Sequence, residues 1–142
     1  MAELVREIII DARPETVFAF LTDADKHVQW EGTSAKIEAR PGGTYEVLIA
    51  GQHLARGEYV EVVPNERVVH TFGWDMPGNP ITPGSTTVTY ELIDESGKTR
   101  LRMTHSGLPE DAIADHTRGW DHYINRLATV ASGGNAGADL PF

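Results

Sequence analysis

The segment Arg100–Leu127, RLRMTHSGLPEDAIADHTRGWDHYINRL, constrains the fold of this chain most, because an alternating strand runs straight into one long amphipathic helix. Leu101, Met103 and His105 fall on one side of the strand and Arg100, Arg102 and Thr104 on the other, the period-two pattern of a half-buried strand. Gly107 punctuates the ladder, Pro109 suits a first helical position, and Glu110 and Asp111 suit the positive end of a helix dipole. Ile113, His116, Trp120, Tyr123, Ile124, Leu127 and Val130 then recur at three- and four-residue intervals, giving the helix an apolar face rich in aromatic rings. Such a helix needs a sheet to lie on, and a sheet gripping one helix leaves room for a ligand between them.

The upstream sequence supplies that sheet. Leu4–Ile10 is rich in β-branched residues and reads as a strand. Pro14 starts a short helix with Val17, Phe18 and Leu21 on one face, and Asp23 caps a second helical turn that ends near Trp30. Strands follow at Lys36–Ala39, Tyr45–Ala50, Leu54–Val63, Arg67–Trp74, Ser85–Ile93 and Thr99–His105, separated by Gly, Pro and Asn clusters that are turn chemistry. Short connections imply consecutive antiparallel strands, so the expected class is α+β: seven antiparallel strands curled around a long C-terminal helix, with two short helices after the first strand. Within Leu54–Val63, Tyr59 alternates against Val60 and Val62, and a bulge near Gly57 would reconcile them. The loop Asp75–Gly84, with three prolines and two glycines, is the expected pocket lid. Residues 1–131 are expected to form a single domain, and the Gly- and Ala-rich tail 132–142 to be mobile.

Composition narrows the function. The 142 residues carry a formal charge of −9, which disfavours phosphate-rich partners, so no nucleic acid is expected. There is no cysteine, hence no disulfide and no thiolate chemistry. No apolar run is long enough to span a bilayer and no basic-then-apolar leader opens the chain, so no membrane partner is expected and the expected location is cytoplasmic. His116 and His122 lie six apart on different helix faces and cannot chelate one ion, and no HExxH or HxxxH spacing occurs on the helix; no metal is expected. There is no GxSxG elbow, and Gly133–Gly137 follows a helix instead of a strand, so it is not a phosphate cradle; no cofactor is expected.

Several short motifs, in order, resemble the START-like or SRPBCC superfamily, whose fold is called a helix-grip, and within it the activator of heat shock protein 90 ATPase homologue family. They are Ile10-Asp11-Ala12-Arg13-Pro14-Glu15-Thr16-Val17-Phe18 with Leu21-Thr22-Asp23 and Trp30, then Pro41-Gly42-Gly43-Thr44-Tyr45, Gly57, and Pro64-Asn65-Glu66-Arg67-Val68. Phe72-Gly73-Trp74, Thr99 through Gly107, and Gly119-Trp120 complete the set, over roughly residues 4–131. The resemblance implies the helix-grip fold and no particular chemistry, because one fold hosts many functions. The eukaryotic co-chaperone of that family carries a further N-terminal domain that does much of its chaperone binding; here Met1 directly precedes the first strand, so a chaperone partner is not expected. The stretch Glu31-Gly32-Thr33-Ser34 also lacks the second aromatic residue that many relatives place after the tryptophan, which leaves more space or more polarity at one end of the cavity.

Alternation gives the expected lining of a ligand pocket: Trp30; Tyr45 and Val47; His70, Phe72 and Trp74; Tyr90; Met103 and His105; and Trp120, Tyr123 and Ile124 from the helix. The competing reading is a packed core with no cavity. Three functions fit this lining. One is binding of a small apolar or aromatic molecule. The second is an enzyme of the cyclase or hydrolase type moving protons with His70, His105, Tyr90 or Glu58. The third is a chaperone-linked or regulatory interaction module. A homodimer through an exposed edge strand or the tail is compatible with all three.

Overall fold

A computed structural model describes residues 2–142 of the chain. It comprises β1 (Ala2–Ile10), α1 (Pro14–Thr22), α2 (Ala24–His27), β2 (Ser34–Ile37), β3 (Thr44–Ile49), β4 (His53–Val63), β5 (Arg67–Trp74), β6 (Thr86–Glu95), β7 (Lys98–Leu108) and α3 (Ile113–Ala131). The strands form one seven-stranded sheet in the order β1-β7-β6-β5-β4-β3-β2. Every neighbouring pair is antiparallel. The two short helices therefore carry the chain from one sheet edge to the other. From β3 onward each strand pairs with its predecessor, and β7 also pairs with β1. With α3 gripped by the curved sheet, this is the α+β helix-grip arrangement.

Local chemistry sets the element boundaries. Pro14 opens α1, and the Asp23 carboxylate accepts from the backbone N–H of Asp25 (2.9 Å) and Lys26 (3.3 Å) to cap α2. In α1 the deeper phenylalanine is Phe20, with Val17 and Leu21; Phe18 is only half buried. Gly107 does not end its strand. At φ 85° it is the extra residue of a bulge, and β7 continues to Leu108, which pairs with Ala2. Pro109 is extended and precedes a single 3-10 turn at Glu110–Ala112, so α3 begins at Ile113 instead of at the proline.

The bulge in β4 falls at Val60, between Tyr59 and Glu61, and not at Gly57. It turns Val60 outward (55 % exposed) while Tyr59 stays in the core at 2 %. Gly57 matters for another reason. A Cβ there would overlap the Thr71 carbonyl of β5, so only glycine permits this strand approach.

The concave face holds the core, in which Trp30, Tyr45, Val47, Val88, Leu101, Met103 and Leu127 are essentially inaccessible. The convex face carries a charged lattice: Arg67 meets Glu61 (2.6 Å) and Glu91 (3.3 Å), Arg102 meets Glu7 (3.2 Å), and Arg100 meets Glu95 (2.6 Å). Each such exposed pair adds little stability, about 0–1 kcal/mol. The loop after β5 folds back onto its own strand instead of reaching over a pocket. The backbone N–H of Trp74 donates to the Ile81 carbonyl (2.7 Å), and Ile81 is buried.

Candidate functional site

A half-open cavity of about 270 Å³ lies where the β3–β4 hairpin and the end of β5 face the first half of α3. Phe72 and Trp74 come from β5, and Ile49, Ala50, Gln52 and His53 from the hairpin; Asp115, His116, Gly119, Trp120 and Tyr123 come from α3. Glu31 closes one end, and Pro141 and Phe142 of the tail form part of the rim.

Both tryptophans of the wall are fixed by their indole N–H groups. Trp74 Nε1 donates to His116 Nε2 (3.2 Å), and His116 Nδ1 in turn donates to the Ala112 carbonyl (3.0 Å). Trp120 Nε1 donates to His105 Nδ1 (3.0 Å). The hydroxyl of Thr86 donates to the Phe72 carbonyl (2.7 Å), so its lone pair accepts from His105 Nε2 (2.8 Å). His105 is thus a neutral imidazole with both nitrogens engaged, pinning helix to sheet. Burial first, then His116 and His70, push its pKa down to about 3. With their polar atoms turned to internal partners, Trp74 and Trp120 offer the cavity mainly aromatic surface. Phe72 packs edge-on against Trp74, with ring centroids 5.2 Å apart.

Beneath the cavity lies a buried polar cluster. The Glu31 carboxylate, 4 % exposed, pairs with His27 Nε2 (2.8 Å) and accepts from the Tyr45 hydroxyl (3.4 Å). Tyr45 stacks on His70 with centroids 3.9 Å apart, and His70 Nδ1 donates to the Thr71 carbonyl (2.7 Å). Burial drives the His70 pKa down to about 4, and pushes the Tyr45 and Tyr90 phenols well up, with Glu31 reinforcing both. The Tyr90 hydroxyl and His27 Nδ1 are buried and meet no partner among the described residues.

Of the lining expected from alternation, Phe72, Trp74, Trp120 and Tyr123 meet at the cavity. Trp30, Tyr45, Val47, His70, Tyr90, Met103, His105 and Ile124 face the same way but lie in the packed layer beneath it. Alternation reports which face a side chain takes and not how deep it sits. None of His70, His105, Tyr90 or Glu58 lines the cavity, and Glu58 is exposed. Arg56, two residues before it, pairs with Asp75 (2.9 Å) and Glu46 (3.8 Å). Among the described residues no three His, Asp or Glu side chains converge on a metal-sized site.

Sequence reasoning missed Glu31, although the absent second aromatic residue marked its position. It also missed contacts made by the tail: Arg126 donates to the carbonyls of Trp30 (2.8 Å), Ala136 (2.8 Å) and Gly137 (2.9 Å), and the Asp139 side chain is buried. No composition rule reads such packing from a glycine-rich stretch.

Comparison with known proteins gives the lineage. The family described as "Activator of Hsp90 ATPase homolog 1-like protein" matches residues 11–132. The human activator of 90 kDa heat shock protein ATPase homolog 1 is 26 % identical over 110 residues, 78 % of this chain but only 31 % of that protein. The solution structure of an AHSA1-like protein from Rhizobium etli is 45 % identical, with a TM-score of 0.76 over 99 % of this chain and 88 % of that one. The fold is shared with the Aha1 dimer of Colwellia psychrerythraea at 24 % identity, with a TM-score of 0.81 over 96 % of this chain and 100 % of that one. With its helix-grip fold and a family match over most of its length, the chain belongs to the Activator of Hsp90 ATPase homolog 1-like protein family.

Proposed function

We propose that this protein binds a small apolar or aromatic molecule in the cavity between the hairpin end of the sheet and α3. The observation that carries the reading is a half-open space of about 270 Å³ walled by Phe72, Trp74, Trp120 and Tyr123. Its two indole N–H groups are already satisfied. That volume approaches the lower end of small-molecule sites, about 300–1,000 Å³, and suits a ligand of one or two rings.

The acid–base reading loses the residues on which it rested, since His105 has both nitrogens occupied and His70 and Tyr90 lie beneath the wall. Chaperone ATPase activation is in the name of the human relative, and this chain matches under a third of that protein. The convex face here is charged, and Arg100 separates the exposed Ile9 from Ile93, so nothing on it favours that role. The dimer of the Colwellia relative makes self-association a fair expectation for this chain, through the open edge of β1 or β2.

Native mass spectrometry of gently purified protein, followed by thermal unfolding with 1-naphthol, tests the binding reading. A co-purifying mass of a few hundred daltons, or a midpoint that rises with probe concentration, supports it. A bare chain mass together with an unmoved midpoint at saturating probe overturns it.

A further inference from the structure

The Asp139 carboxylate sits at the edge of the cavity in a seat built from three donors. Its Oδ2 accepts from the backbone N–H of Gly32 (2.7 Å) and of Ala50 (2.8 Å), and its Oδ1 accepts from the Tyr123 hydroxyl (2.8 Å). Asp139 is 5 % exposed, so these bonds act away from water, where charge-assisted hydrogen bonds are strongest. The seat belongs to the fold and not to the tail. Ala50 (φ 52°) and Gly51 (φ 69°) are the two turn residues of the β3–β4 hairpin, closed by Gln52 N–H donating to the Ile49 carbonyl (2.9 Å). That turn leaves the Ala50 N–H free of the ladder, beside the Gly32 N–H that precedes β2. Two of the donors are backbone groups, and both Ala50 and Tyr123 also line the cavity.

The chain beyond Asp139 behaves differently. Leu140 stays exposed, while Pro141 and Phe142 turn back to the cavity rim, where Phe142 stacks on His122 at 4.0 Å but remains 65 % exposed. The tail thus presents a buried carboxylate followed by a loosely held apolar ring at the rim of an apolar cavity. We propose that Asp139 stands in for the carboxylate of a ligand, and that the seat of Gly32 N–H, Ala50 N–H and Tyr123 O–H takes an aromatic or aliphatic carboxylic acid whose apolar body fills the cavity. This deepens the binding reading above and rests on it. Charge supports the exchange. Glu31 and Asp115 also face the cavity, so an anionic ligand added beside Asp139 would be repelled, whereas one that replaces it leaves the local charge unchanged.

The test compares 1-naphthylacetate with neutral 1-naphthylacetamide on the full chain, native and Asp139→Ala, by calorimetric titration and by following backbone amides. Vacating the seat is expected to raise affinity for the carboxylate by about tenfold or more and to leave the amide within about threefold. The Gly32 and Ala50 amide protons should then move downfield only with the carboxylate, and adding Tyr123→Phe should cancel part of the gain. Should the alanine variant fail to fold, Asp139→Asn keeps the tail's shape with one acceptor fewer and should shift the preference the same way. Equal affinity for carboxylate and amide in a folded Asp139 variant, or unmoved Gly32 and Ala50 amides, overturns the proposal while leaving the apolar pocket standing. Failure of both probes on every variant overturns the proposal together with the pocket reading.

Discussion

Tyr90 shows how a side chain's direction can be read from the sequence without its depth. Alternation along β6 turns it inward, as observed, yet it lies under the cavity wall with its hydroxyl buried and without a partner among the described residues. A buried hydroxyl without a partner costs desolvation and returns nothing. Tyr90→Phe is therefore expected to be neutral or stabilising by up to about 1 kcal/mol in urea unfolding; a loss larger than that would mean the hydroxyl has a partner. Glu31 is the opposite case. One sequence position, marked only by a missing aromatic ring, holds a buried carboxylate shared by His27 and Tyr45. The His27 contact is a local one at four-residue spacing, whereas the Tyr45 bond joins separate elements and has no local pattern to announce it.

At the level of elements, strands and turns were legible because their signals are local: period-two alternation ended by Gly, Pro or Asn. What escaped is how elements meet. The bulge sits at Val60 because it lets Tyr59 and Val62 both face the core, while Gly57 is where β4 presses on the Thr71 carbonyl. The loop Asp75–Gly84 has the length of a lid, but its buried Ile81 ties it to the core, and tail residues reach the rim instead. Two glycine substitutions separate these roles. Gly57→Ala is expected to cost more than about 3 kcal/mol, since backbone must move. Gly119→Ala meets nothing within 4 Å and should add about 1 kcal/mol by helix propensity alone. Urea unfolding of both variants checks the contrast, and a harmless Gly57→Ala would refute the β4–β5 packing.

For the molecule as a whole, the buried histidines link stability to pH. His70 and His105 are neutral in the fold, with pKa values lowered to about 4 and about 3 chiefly by burial, against an ordinary value of about 6.5. Acidification protonates them first in the unfolded chain. Their contribution is thus intact above about pH 6.5 and is lost as pH falls, by about 2 kcal/mol each near pH 5, until the folded-state values are reached. Denaturant unfolding at pH 7.5, 6 and 5 should show that decline, while both imidazoles keep the chemical shifts of the neutral form in the folded protein. Unchanged stability across this range would contradict it. The central claim, that the cavity takes an apolar molecule, is tested most directly by the indole N–H resonances of the three tryptophans. Trp74 and Trp120 line the cavity, whereas Trp30 is fully buried with its Nε1 donating to the Phe20 carbonyl (2.9 Å). Titration with 1-naphthol is predicted to move the Trp74 and Trp120 signals and leave that of Trp30 in place. No movement of either wall tryptophan at saturating probe, or equal movement of all three, would contradict the account.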